Sequence, residues 1–199
     1  MANYLVMFSA PKKHIEYMSN HSGVSRHYYM GEPPVVKVLI PQNFILKKIF
    51  KRNVEYVMRS PTEIPVDWPE TYADVVDIEI NHRNVDLYHW ILNKTDKTVD
   101  GAGSIFQTWI DTKHDALSLD SYNEDFAFLP DKLPELLTLV EAVTPETIRN
   151  VFKEWCQQNG KPHNPTIEEA KEMHIGFLNF SQYLRNAISR SHGLVWVVS

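Results

Sequence analysis

Along the last third of the chain, Phe177, Phe180, Tyr183, Leu184, Ala187 and Ile188 recur at three- and four-residue steps, the spacing that lines one face of a helix. Arg185 and Arg190 put positive charge near the end of that helix, and Gly193 is expected as its left-handed cap. Leu194, Val195, Trp196, Val197 and Val198 then form a run with no polar position. A short all-apolar run reads as a strand covered on both faces, so the chain is expected to end in the middle of a sheet. The β-rich run Tyr4 to Phe8, stopped by Pro11, is expected to pair beside it. Residues 35–40 predict a third strand in the same sheet, and the alternation over 75–80 predicts an edge strand.

Helical signals fill the intervals. Pro11 opens a short helix carrying His14, Ile15, Tyr17 and Met18, broken at Ser22-Gly23; the polar-aromatic stretch Ser25 to Tyr29, before Gly31-Glu32-Pro33-Pro34, reads as a loop. A helix is expected from Asn43 to about Tyr56, followed by a proline-punctuated connection through Pro61, Pro65 and Pro69. Val85, Leu87, Tyr88, Trp90, Ile91 and Leu92 wrap most of a helix, which must therefore be buried on several sides. Ser104 is expected to cap a short aromatic run, and residues 111–128 show little periodicity. Late helices are expected over 135–142, after Thr144-Pro145, and after Thr166 with Glu168 and Glu169 in its first turn. The pattern predicts one compact α/β domain over 1–199, with α+β as the alternative class, and a mixed sheet whose C-terminal strand is buried between flanking helices.

Composition narrows the class of partner. The chain has 199 residues, 43% of them apolar, and a net charge of −5, ordinary for a globular domain and without the basic excess that nucleic acid demands. One cysteine, Cys156, excludes an internal disulfide and is expected as an inert, buried or half-buried thiol. No apolar run reaches the roughly 18 residues of a membrane span, and no signal-peptide pattern opens the chain. The expectation is a cytoplasmic protein that engages neither membrane nor nucleic acid and needs no cofactor.

The order of parts from 82 to 199 resembles the YfbM-like bacterial domain family of unknown function. The residues that carry the resemblance are Asp86 to Leu92, Gly101-Ala102-Gly103, Tyr122, Thr144-Pro145-Glu146 and His192-Gly193-Leu194-Val195-Trp196. The helix departs from that family's usual Lys-Trp-His order. The resemblance implies a compact α/β fold and names no activity.

Chemistry is sparsely signalled. His82 and His89 lie two helical turns apart with Asp86 between them, a spacing that could offer two imidazoles and a carboxylate to zinc; a histidine among apolar residues is more often a core residue hydrogen-bonded to a backbone carbonyl, so no metal is expected. There is no Gly-x-Ser-x-Gly elbow and no phosphate loop. His27, Tyr28 and Tyr29 on one expected loop and Tyr122 on another are the candidate binding residues, expected to approach His89 across one end of the sheet. The acidic stretch 111–125 could bind a basic partner. Two functional classes follow: a non-catalytic protein-binding module, immunity- or inhibitor-like, or a small hydrolase or transferase assembled from dispersed His and Tyr residues.

Overall fold

The structure, a computed structural model, describes residues 4–39, 56–59, 63–81, 83–107, 115–120 and 125–198. Five strands form one sheet in the order β4, β1, β7, β6, β5: β1 is Tyr4–Pro11, β4 Ile80–Asn81, β5 Leu117–Asp120, β6 Asp125–Phe128 and β7 His192–Val198. The C-terminal strand is central, paired from Leu5↔Val198 to Pro11↔His192 on one side and from Phe126↔Trp196 to Phe128↔Leu194 on the other. The N-terminal run does lie beside it.

Alternation along the central strands separates two cores. Met7, Phe128, Leu194 and Trp196 face one, and Phe8, Ala127, Val195 and Val197 face the other. Over the second lie two short helices, α1 (Lys12–Asn20) and α2 (Val24–Met30). Over the first lie α3 (Val85–Asn93), a 3-10 turn at Gly101–Phe106, α4 (Leu133–Glu141), α5 (Pro145–Gln158) and α6 (Ile167–Ser189). Phe106 sits at the centre of this larger core, its ring 5.8 Å from Tyr88, 5.9 Å from Trp196 and 6.2 Å from Phe180. Helices on both faces are what let β7 be apolar from Leu194 onward.

That arrangement is α+β, and every described pairing in the sheet is antiparallel, which corrects the expected mixed sheet. An all-apolar run reports that both faces are covered, not the direction of its neighbours. The strand expected over 35–40 is observed as β2 (Val36–Leu39), but it pairs with β3 (Tyr56–Arg59) in a separate two-stranded ribbon. The edge at 75–80 keeps its alternation: Val76, Ile78 and Ile80 are buried and Asp77 and Glu79 exposed. Its ladder is interrupted, consisting of a bridge from Val75 to Phe8, a hydrogen bond from Val76 N to Met7 O and the pairs of β4 with β1. The helix expected over 43–56 lies outside the described residues except for Tyr56.

Helix ends follow local chemistry. Thr144 Oγ1 accepts from Thr147 N, and Thr166 and Glu169 form a reciprocal capping box. Two expectations fail. The left-handed residue after α6 is Ser191 (φ 55), whereas Gly193 lies within β7, where a Cβ would run into Phe128 O. Ser104 is interior to the 3-10 turn, whose N-cap is Asp100, and its hydroxyl donates back to Gly101 O, so it does not cap the turn at Ile105 and Phe106. Among the described residues no helix is long and apolar enough to cross a membrane.

Candidate functional site

The described residues among those singled out by sequence fall into two separate places. His89 is buried on α3, facing the larger core. Its Nε2–H donates to Lys97 O at 2.8 Å, which leaves Nδ1 to accept from Asn93 Nδ2 at 3.2 Å. Burial lowers its pKa, only partly opposed by the Lys97 carbonyl. Asn93 also reaches Gly103 O, and Gln107 accepts from Val99 N, so this network ties the 94–100 turn to α3 and the 3-10 turn. Asp86 lines the same 320 Å³ cleft as His89 and accepts from Trp155 Nε1 at 2.8 Å. His82, the third member of the expected zinc set, lies outside the described residues, as does Tyr122. Among the described residues no three His, Cys, Asp or Glu side chains are grouped to hold a metal ion.

His27, Tyr28 and Tyr29 are on helix α2 and not on a loop. The helix is bounded by two left-handed glycines, Gly23 (φ 82) and Gly31 (φ 69), and Gly31 N closes it onto Tyr28 O and His27 O. Gly31 also has no room for a side chain, because a Cβ would overlap the Thr71 backbone. Tyr28 belongs to the second core, across the sheet from His89. Its hydroxyl donates to His14 Nδ1 at 3.2 Å, because His14 Nε2–H is committed to Val66 O at 3.0 Å. Burial raises Tyr28 to about 12 and lowers His14. Tyr29 packs on Phe8 and Tyr72, and His27 Nδ1 stands 3.4 Å from Glu32 Oε2. The hydrogen bonds of His89 and of Tyr28 thus run to different partners on opposite faces.

Within the acidic stretch over 111–125, the described carboxylates divide into the exposed Asp115 and the buried Asp120 and Asp125. Ser25 Oγ donates to Asp125 Oδ2 at 2.5 Å, and Asp115 pairs with Lys132 at 3.1 Å. Exposed acidity gathers elsewhere, in a groove of 540 Å³ between α6 and the sheet edge. Asp77 and Glu79 form one wall and Glu169 and Glu172 the other, and among the described residues no Lys, Arg or His lines it. Gly176 lets α6 approach closely, since a Cβ there would meet Ile78 Cγ1 at 3.1 Å. Asn179 Nδ2 bonds Asp77 Oδ2 at 3.2 Å, and Glu169 is engaged by Thr166 and by His163 Nε2 at 3.1 Å. Ile175, in the groove, is 56% exposed, and Leu178, one turn further along α6, is 52% exposed. The sequence signal for this groove was the alternation of Asp77 and Glu79 and the apolar residues on the outer face of α6.

Set beside known proteins, the chain matches no protein-family model and no curated protein. Among solved structures it is similar to YfbM from Escherichia coli, a protein of unknown function, at 9% identity and a TM-score of 0.44 over 100% of both chains. The similarity therefore runs along the whole chain and not only over 82–199. At that score and identity it transfers no residue role.

Proposed function

We propose that this chain is a cytoplasmic, non-catalytic protein-binding module of the immunity- or inhibitor-like kind, folded as one domain over 1–199. Its partner is basic and docks in the groove between α6 and the 77–79 edge. The observation that carries this reading is the coincidence, in one groove, of four carboxylates and the solvent-open Ile175, with no Lys, Arg or His lining it among the described residues and the exposed Leu178 one turn further along α6. Apolar side chains supply the area that stabilises a complex, and surrounding charge of one sign selects and steers a partner of the other. Asp77 and Glu79 put charge on the sheet edge, which discourages strand addition and favours an amphipathic segment lying along α6. Support for one domain is a core in which Met7, near one end of the chain, packs in the same cluster as Phe177 to Trp196 near the other. Support for a reducing compartment is the lone Cys156, buried and with its thiol pushed up by that burial.

The test is affinity capture from native cell lysate with the wild-type chain and with the charge-reversed variant E79K/E172K, both positions being exposed. The expected result is one stoichiometric basic partner on wild type, weakened by salt, and its loss from a variant that melts within a few degrees of wild type. Equal capture by both, or no partner on either, overturns the reading.

A further inference from the structure

Where the end of α6 meets β1 and the 69–74 segment, a separate cavity of 180 Å³ is lined by side chains of opposite charge. Arg190 and Asp74 both face it, and neither forms an ion pair with any described residue. Tyr183 lies between their influences: burial raises its hydroxyl, hydrogen bonding with Ser9 lowers it, Asp74 raises it and Arg190 lowers it. That hydroxyl is fixed, accepting from Ser9 N at 2.8 Å and donating to Asp74 O at 2.6 Å, so the polar wall is rigid before any ligand arrives. Ser9 Oγ stands 3.5 Å from His192 Nδ1, and both side chains also line the cavity. Tyr28 and Tyr72 provide aromatic surface.

We propose that this cavity binds a small zwitterion of the α-amino acid class, its carboxylate on Arg190 and its ammonium on Asp74. Two unpaired opposite charges across one small cavity match a ligand that carries both, whereas a simple anion would leave Asp74 opposed and a simple cation would leave Arg190 opposed. Guanidinium suits a carboxylate because it can donate two parallel hydrogen bonds. The volume, below the roughly 300–1,000 Å³ of drug-sized pockets, admits a small amino acid and excludes a nucleotide. This site is independent of the acidic groove and stands or falls without it.

Thermal unfolding of the full chain in the presence of each common L-amino acid at millimolar concentration tests the assignment. At least one should raise Tm by about 4 °C or more at a hundredfold excess over Kd. For that amino acid, the matching amine without the carboxylate and the matching acid without the ammonium should each bind at least tenfold more weakly. Arg190→Gln should abolish the shift, and Asp74→Asn should narrow the difference between the amino acid and its acid analogue. The proposal is overturned if no amino acid moves Tm, if the shift survives Arg190→Gln, or if the acid alone binds as well as the zwitterion.

Discussion

Single positions in this protein are constrained mostly by how closely backbone approaches backbone. Gly193 and Gly160 make the contrast. Gly193 has an ordinary strand conformation, but a Cβ would overlap Phe128 O and sit 2.5 Å from Ile15 Cδ1, in the middle of the sheet. Gly160 has φ +63, and a Cβ added there would meet nothing within 4 Å. Gly193→Ala must push β6 from β7 or displace Ile15, and its expected cost is about 3 kcal/mol or more. Gly160→Ala meets only the left-handed backbone penalty of roughly 1–2 kcal/mol. Denaturant melts of the two variants compare them directly, and equal destabilisation would refute the packing argument. At the same scale, His14 and His89 show how a buried imidazole is held: each donates one ring N–H to a backbone carbonyl and accepts at the other nitrogen.

Among the elements, β7 carries the largest share of the fold, because it is the central strand of the sheet and contributes to both cores. Leu194, Val195, Trp196 and Val197 are all at most 5% exposed, two on each face. Removing residues 194–199 exposes both cores together, and each large buried side chain contributes roughly 1.5–3 kcal/mol against a total stability of about 5–15 kcal/mol. The shortened chain should show no cooperative thermal transition. A melt within a few degrees of the intact protein would mean that β7 is dispensable. Helix α2 behaves differently: at seven residues between two left-handed glycines it has little stability of its own and depends on Tyr28 and Val24 packing under the sheet.

For the molecule as a whole, the buried histidines set a pH response. Burial lowers the pKa of His14, His89 and His192 from 6.5, so the folded state binds fewer protons than the unfolded chain as pH falls below that value. Their contribution is therefore intact above about pH 6.5 and is lost as pH drops through their folded values, each group contributing at most about 1.4 kcal/mol per pH unit. Tm should be flat between pH 7 and 8 and fall from pH 6.5 toward 5, less steeply in His89→Gln than in wild type. A Tm unchanged or rising on acidification would show that these imidazoles are not buried neutral.

What the chain determines by itself is what repeats along it or depends on near neighbours. The all-apolar 194–198 run placed β7 at the centre, the 85–92 run made α3 a buried helix, and Thr144 and Thr166 marked two helix starts, because face coverage and capping are read out over a few residues. Alternation over 75–80 likewise survived into an edge whose ladder is broken. Tertiary structure alone decided strand direction, the removal of 36–39 into a separate ribbon, and the use of Gly193 as a point of strand contact, since each depends on a partner distant in sequence. The same holds for the sites. His89 and Tyr28 looked alike as polar residues among apolar ones, yet the sheet lies between them, while Asp74 and Arg190, 116 positions apart in sequence, line one cavity. Charges that line one cavity from such a distance leave no local pattern, because only the folded chain brings the two ends of that separation together.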